Sequence, residues 1–201
     1  MKIASNQVIQ NLIVATEKDK KIYQELFDAG ELDKPVYNPI MKRCHEENAD
    51  LLEDFLSKYG WPFPAVYDED THQAAWFIAI HAISRPALIK KVAGIMYDAY
   101  KIGKISGKYY ANFYDRIELY EGRKQLYGTH LSPSKIGWQA KYLVEPETVN
   151  NRRKELDLQS LEDWINESEL EGSGFRDIDV DEIAYLQEFD KWCKQTGWRK
   201  K

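Results

Sequence analysis

The chain has 201 residues, 43% hydrophobic and 30% charged, which is enough for one domain with a sizeable core and is typical of a globular protein. Its net charge of −5 argues against nucleic acid as a partner. The sequence contains no apolar run long enough for a signal peptide or a membrane span, so we expect a cytoplasmic protein without a membrane partner, whose two cysteines, Cys44 and Cys193, are reduced.

The first half of the chain predicts helices separated by glycine or proline. Apolar residues recur at three- and four-residue spacing over residues 8–27, which predicts an amphipathic helix that ends at Gly30. Asn38 followed by Pro39 has the pattern of an N-cap and a first helical residue, and predicts that the second helix begins there.

The third predicted helix is the most apolar of the chain. Asp70 or Thr71 is expected to cap it. Its interior, AAWFIAIHAI, is apolar nearly all round, which is typical of a central, buried helix. Pro86 ends this helix or begins the fourth.

The second half of the chain predicts a fifth helix capped by Ser106, and then a change of pattern. The helical period disappears near residues 124–144, which favours a small β-hairpin or an ordered loop. Further on, Ser160 and Asp163 have the spacing of a capping box at the start of another helix.

The whole pattern predicts a mainly α fold, a single-domain helical bundle of about six or seven helices. We expect a helical domain over residues 1–171, an acidic linker at 172–180, and a C-terminal helix with a basic tail at 181–201. The last helix has an apolar stripe, which consists of Ile183, Leu186, Phe189 and Trp192. A helix of this length is marginally stable alone, so the stripe is expected to dock, most simply on the first helix or on the outer face of the same chain.

Six short motifs follow one another along the chain: GWP at 60–62, AAW at 74–76, the His81-Ala82 pair, Asp115-Arg116, QLYGT at 125–129, and Asn150 with Arg152-Arg153. In this order and spacing the chain resembles a bacterial family of mainly helical domains of unknown function, over roughly residues 38–165. The resemblance implies relatives but no reaction. Members of that family often carry glutamine at the positions of Ile80, Ile89 and His130, so a site that relies on those glutamines is expected to be lost or changed here.

His81 is the first candidate for a catalytic residue. An imidazole titrates near neutral pH, so it can act as a general acid, a general base or a metal ligand. The alternative is a core histidine satisfied by one hydrogen bond. Because His81 lies in a motif shared with the family, we expect it to be functional, with the acid/base role found in hydrolases or transferases; the sequence leaves open whether the protein is an enzyme.

Asp115 is the second candidate catalytic residue, and Arg116 beside it is a candidate ligand-binding residue. Neighbouring residues on a helix point about 100° apart, so we expect different roles for the two. Arg116 can bind a phosphate or carboxylate through two hydrogen bonds, while Asp115 orients a neighbour. The alternative is an ion pair that ties the following segment to the helices.

The segment QLYGTH supplies the remaining ligand-binding candidates. In an extended conformation Gln125, Tyr127 and Thr129 share one face, and His130 follows them. The alternative is a hairpin edge whose polar face meets solvent. Gly128 is expected to serve backbone geometry, because no glycine-rich phosphate loop surrounds it.

The charge distribution favours an anionic ligand. Residues 85–141 contain eleven Lys and Arg against four Asp and Glu, interspersed with several tyrosines. Basic and aromatic groups together suit a nucleotide or another anion. The alternative is a solvated positive face that docks onto the acidic remainder of the chain.

The sequence predicts no metal site and no other cofactor. The four histidines are at positions 45, 72, 81 and 130, and they lack HExxH or paired-cysteine spacing.

Two functional hypotheses follow from these features. The first is a pocket that binds, and in an enzyme acts on, a phosphate-bearing or other anionic small molecule, with His81 facing Arg116 and Tyr127. The second is a non-enzymatic protein-interaction module, an adaptor or immunity-type binder, whose C-terminal helix docks on a protein partner.

Overall fold

The computed structural model of the protein describes residues 3–32, 37–134, 137–170 and 182–200. These residues form eight α-helices and two three-residue strands, which confirms the mainly helical fold. The described ranges contain one helix more than the upper end of the expected six or seven. None of these helices is both long and apolar enough to cross a membrane. The predicted linker at 172–180 lies outside the described residues.

The chain divides into two compact units, Met1–Val92 and Ala93–Lys201. The first unit contains α1 (Asn6–Asp28), α2 (Pro39–Tyr59), α3 (Glu69–His81) and the first half of α4 (Pro86–Lys101). The second unit contains the rest of α4, α5 (Gly107–Tyr120), β1 (Ser132–Ser134), β2 (Gly137–Gln139), a 3-10 turn (Pro146–Thr148), α6 (Val149–Glu155), α7 (Leu161–Leu170) and α8 (Glu182–Thr196). The division of the chain expected from the sequence stays a prediction.

The start of α2 follows the sequence prediction. The Asn38 side chain accepts hydrogen bonds from the backbone N–H groups of Ile40 and Met41, and Pro39 is the first helical residue. The cap thereby satisfies two backbone donors that the helix itself leaves unpaired. Asn38 is confirmed as the N-cap.

The cap of α3 differs from the expectation of Asp70 or Thr71. Asp68 caps this helix, and its carboxylate accepts a hydrogen bond of 2.6 Å from the backbone N–H of Thr71. The prediction was wrong because the helix begins at Glu69, which places Asp70 and Thr71 inside its first turn. A cap must precede that turn in order to reach its free N–H groups.

The helices α1, α2 and α3 pack against one another around an apolar core. Fully buried side chains of this core are Leu12, Leu52, Phe55, Ala75 and Ile78. Burying each of the larger ones stabilises the fold by roughly 1.5–3 kcal/mol. Most of α3 is buried, as its continuous apolar sequence predicts.

In the second unit, α5 and the end of α6 approach closely. Ser106 caps α5, as expected, by accepting a hydrogen bond from the backbone N–H of Lys108. At Gly107 an added Cβ would lie 2.8 Å from Cβ of Leu156, so glycine is needed for this approach. The contact places the end of α6 beside the start of α5.

The strands β1 and β2 pair antiparallel, with Ser132 opposite Gln139 and Ser134 opposite Gly137. Residues 135 and 136, which would form the turn, lie outside the described ranges. The predicted hairpin therefore stays a prediction. Further along the chain, the Ser160 hydroxyl accepts from the Asp163 backbone N–H, which is one of the two hydrogen bonds of the predicted capping box. The same hydroxyl donates to the Asp163 carboxylate.

The C-terminal helix α8 packs on the end of α5 in the second unit. Aromatic rings within 5.1–5.8 Å of the Tyr120 ring are those of Phe189, Trp192 and Trp198. Arg199 donates hydrogen bonds to the last two carbonyls of α5 and pairs with Asp190 at 2.6 Å. Two residues of the apolar stripe, Phe189 and Trp192, thus contact α5 of the same chain, whereas Leu186 is exposed.

Candidate functional site

The sequence-predicted residues of the second unit meet around Asp115, at the end of α5. Asp115 is 0% exposed. Its carboxylate accepts hydrogen bonds from the backbone N–H groups of Leu126 (2.7 Å), Tyr127 (3.1 Å) and Thr129 (2.9 Å), and from the Thr129 hydroxyl (3.0 Å). Burial raises the pKa of Asp115, while these four hydrogen bonds favour its charged form. Asp115 therefore fixes the backbone of the QLYGTH segment.

Gln125 holds the same segment from its other side. Its amide nitrogen donates to the carbonyls of His130 (3.0 Å) and Lys141 (2.9 Å), and its amide oxygen accepts from the His130 N–H (2.9 Å). Its backbone bonds the carbonyl of Tyr142 and the N–H of Val144. The Gln125 side chain, 1% exposed, thus joins the two ends of a loop.

His130 is held in one tautomer by its two partners. Its Nε2 lies 2.9 Å from the carbonyl of Asn112, which can only accept, so Nε2 carries the proton. Nδ1 then accepts from the Arg116 guanidinium at 3.4 Å. Burial of the ring, followed by the charge of Arg116, lowers the pKa of His130 to about 3, so the ring is neutral at physiological pH.

Two arginines of α6 complete this arrangement. Arg153 is buried and donates to the carbonyls of Tyr127 and Gln159, both at 2.7 Å. Arg152 donates to the carbonyl of Leu126 at 2.7 Å. The motifs DR, QLYGT and NxRR are therefore neighbours in space, and we call this set of contacts the Asp115 joint.

Tyr127 belongs to the joint through its backbone, whereas its ring lies in an apolar cluster. Its ring contacts those of Tyr110 and Tyr114 at centroid distances of 6.4 and 5.8 Å. Burial raises the pKa of Tyr127. Gly128 has a φ of +67°, and a Cβ there would lie 3.1 Å from the Leu143 side chain, so backbone geometry accounts for this glycine.

The structure brings together Asp115, Arg116, Gln125, Thr129 and His130, with the backbone of Tyr127, in the second unit. Their polar contacts given above are with one another and with nearby backbone. Their roles as ligand-binding or catalytic residues stay predictions. His81 lies in the first unit, and its predicted convergence with Arg116 and Tyr127 also stays a prediction.

In the first unit, His81 stands in a group of residues that the sequence did not point to. Its ring stacks on the ring of His45, with the centroids 5.3 Å apart and the planes 13° from parallel. The ring of Phe77 meets it edge-on at 4.2 Å. His81 is the last residue of α3, and His45 comes from α2, so the pair bridges two helices.

A buried carboxylate from α1 joins the two histidines. Asp19 is 2% exposed, and its Oδ2 lies 3.2 Å from Nε2 of His45 and 3.1 Å from the amide nitrogen of Asn48, which donates to it. Nδ1 of His45 lies 2.5 Å from the hydroxyl of Tyr37. Asp19, His45 and His81 each offer a ligand atom, and these three atoms lie within 4.8 Å of one another. We call these three residues the histidine–aspartate cluster.

Short motifs could not reveal this cluster, because its members are 26 and 36 residues apart along the chain. One signal was present. On α1 the buried residues are Leu12, Thr16, Asp19 and Leu26, so Asp19 is the one charged residue at these inward positions. A carboxylate at such a position needs a specific partner, since burying an uncompensated charge is costly.

A family model described as a family of unknown function (DUF6624) matches residues 6–174. This match begins earlier and ends later than the 38–165 expected from the sequence, so it includes α1 and with it Asp19. No curated protein and no solved structure matches the chain.

Proposed function

Since the chain belongs to the DUF6624 family of unknown function, we propose a function from geometry: the first unit carries a reactive centre built on His81, which binds and acts on a phosphate-bearing or other anionic small molecule. The observation that carries this proposal is the histidine–aspartate cluster. Three side chains able to bind protons or metals come together there from three helices.

The arrangement suits an active imidazole better than a passive core residue. Asp19 lies against His45, and His45 stacks on His81, so a carboxylate and a second imidazole support the ring of His81. This arrangement suits two chemical roles of His81, proton transfer and metal ligation. In either role, His81 would lie next to the bound ligand.

A nearby cation favours an anionic ligand. The ammonium group of Lys20 lies 5.5 Å from the centre of the Phe77 ring, and the same ring touches His81 edge-on. Lys20 is exposed on α1, so its long side chain can reach a ligand bound at His81. A positive charge beside the imidazole attracts phosphate or carboxylate groups.

In this proposal the Asp115 joint has a structural role. Its carboxylate, amide and guanidinium groups use their hydrogen bonds on loop backbone, which leaves the reactive chemistry to the first unit. The alternative function, an interaction module that docks through the C-terminal helix, has less support, because Phe189 and Trp192 already contact Tyr120.

The test is a titration of the full-length protein with inorganic phosphate, followed by nuclear magnetic resonance of the histidine ring protons, together with turnover of p-nitrophenyl phosphate. We expect phosphate to shift the signals of His81 and His45, and His81→Ala to weaken binding or turnover at least tenfold. Gln73→Ala, on an exposed position of the same helix, is the matched control and should leave both unchanged. Equal losses of binding and thermal stability in His81→Ala, or shifts confined to His130, would remove the basis of the proposal.

A further inference from the structure

We propose that Asp19, His45 and His81 bind one divalent transition metal ion of the Zn²⁺ class. The inference rests on the proposed function and deepens it, because the ion would be the group that receives the anionic ligand. It also departs from the sequence-based expectation of no metal site, which depended on short motifs alone.

The distances between the donor atoms suit one shared ion. Zinc binds histidine nitrogen and carboxylate oxygen at about 2.0–2.2 Å, so two such ligands around one ion lie about 3.0–3.5 Å apart. Nε2 of His45 and Oδ2 of Asp19 are 3.2 Å apart, within this range. All three donor atoms fall within 4.8 Å of one another, so the third ligand requires a side-chain rotation to reach the same ion.

The His45 nitrogen provides an independent observation. Nε2 is buried, and within the described residues it forms no hydrogen bond, although Oδ2 of Asp19 is only 3.2 Å away. Nε2 of His45 and Oδ2 of Asp19 are therefore close, but their geometry is not that of a hydrogen bond. A buried nitrogen without a hydrogen bond, beside a buried carboxylate oxygen, forms a pair of donor atoms that one metal ion can share.

The charge of Asp19 is a second argument. Within the described part of the chain its polar contacts are with Asn48, Cys44 and His45, and none is with a lysine or arginine. A carboxylate that is 2% exposed is costly when no cation compensates it. A divalent ion would supply this charge. The position of His81 at the C-terminal end of α3 adds the partial negative charge of the helix end, which also favours a cation.

The outer contacts have the arrangement that metal sites use to orient their ligands. When Nε2 of His45 binds a metal, Nδ1 carries the proton and can donate it to the hydroxyl oxygen of Tyr37, 2.5 Å away. Asn48 donates to Oδ2 of Asp19 at 3.1 Å and so fixes the carboxylate. Both partners hold the two ligands in one orientation.

The donor set indicates the type of ion and site. Two imidazoles and one carboxylate suit Zn²⁺ or a neighbouring first-row ion rather than Ca²⁺ or Mg²⁺, which prefer oxygen ligands. Three protein ligands leave a position open, as in catalytic rather than structural zinc sites. An oxygen of a phosphate or carboxylate ligand can occupy that position.

The test uses full-length protein stripped of metal with a chelator and titrated with zinc chloride by isothermal calorimetry. We expect one ion per chain, and a loss of affinity of more than about 100-fold in each of Asp19→Asn, His45→Gln and His81→Gln, since even partners outside the ligand set contribute about 10–100-fold. His130→Gln is the matched control, because it removes another poorly accessible histidine outside the cluster. Its zinc affinity should equal that of the wild-type protein.

A spectroscopic measurement on the wild-type protein tests the metal site even if the variants fail to fold. Cobalt added to stripped protein should give the visible absorption of a four- or five-coordinate site, and zinc should abolish it. Absence of both the cobalt spectrum and the zinc heat, or unchanged affinity in the three folded variants, would overturn the inference. Phosphate binding to chelator-treated protein that binds no zinc would refute the metal site and leave the proposed function standing. Zinc binding without any phosphate binding would support the metal site and refute the proposed binding of an anionic ligand.

Discussion

Asp115 in the second unit and Asp19 in the first are both almost fully buried, yet their surroundings differ. Asp115 receives four hydrogen bonds from backbone N–H groups and a hydroxyl. Asp19 has one amide donor, a thiol at 3.9 Å and the ring of His45. The charge of Asp115 is therefore satisfied by a fixed loop, whereas Asp19 has fewer hydrogen-bond donors around it. The comparison distinguishes a carboxylate that organises a loop from one that, in the proposed metal site, would bind the ion.

The largest expected effect is at Asp115. Asp115→Asn keeps the size of the side chain but places an NH₂ group against backbone N–H donors, which then lose their acceptor. We expect it to destabilise the protein by about 3 kcal/mol, since each buried donor left unpaired costs about 1–3 kcal/mol. Urea unfolding followed by circular dichroism measures this. A loss below about 1 kcal/mol would mean that the joint does not depend on the carboxylate.

The matched substitution Asp19→Asn is expected to behave differently. In metal-free protein it removes an uncompensated buried charge and keeps a similar shape, so stability should change by less than about 1 kcal/mol. Zinc at 100 times its dissociation constant should stabilise the wild-type protein by about 2.7 kcal/mol and leave Asp19→Asn unchanged. Thermal melts with and without zinc check both parts. If zinc stabilised the wild-type protein and Asp19→Asn equally, Asp19 would not be a zinc ligand and the proposed difference between the two aspartates would be wrong.

A substitution at Gly128 tests whether the Asp115 joint has a structural role only. Gly128→Ala places a side chain at a φ of +67° and 3.1–3.2 Å from the side chains of Leu143, Ala140 and Leu161. We expect a loss of about 1–2 kcal/mol in unfolding free energy, since non-glycine residues are strained in the left-handed region. Zinc and phosphate binding should be unaffected, because the joint is assigned no ligand. If Gly128→Ala weakened zinc or phosphate binding by more free energy than it removes from stability, the QLYGTH segment would again be a candidate ligand-binding segment.

The smallest expected effect concerns pH. His130 has a folded-state pKa of about 3, below its ordinary value near 6.5, so the unfolded chain binds a proton that the folded chain does not. Stability is therefore nearly independent of this group above about pH 7.5. It falls as the pH drops from there towards 3, by about 0.7 kcal/mol between pH 7 and pH 6. His130→Gln offers one donor for Asn112 and one acceptor for Arg116 without titrating, so its unfolding free energy should vary less with pH. Identical pH profiles of the two proteins, measured by urea unfolding, would contradict this assignment.

The sequence predicted most of the helical architecture because its signals are local. Apolar spacing, the Asn38-Pro39 pair and the Ser160 cap on Asp163 each act within a few residues, and each is present in the structure. The cap of α3 was missed by two residues, because Asp68, Asp70 and Thr71 are all competent caps and only the observed start of the helix chooses among them. The sequence also marked Asp115, Arg116, Gln125, Thr129 and His130, which do meet in space, but it gave no means of deciding between a loop anchor and a ligand site.

By itself, the sequence determined the helices, their order and the crowding of polar residues after α5, because periodicity and capping depend on near neighbours in the chain. Only the tertiary structure decided what those polar groups contact, since the carboxylate of Asp115 finds its donors 11 to 14 residues away. Only the tertiary structure brings Asp19 close to His45 and His81, which lie on three different helices. These helices pack through their apolar faces and not through the three polar residues. A short motif cannot encode a site whose members meet only after the helices pack.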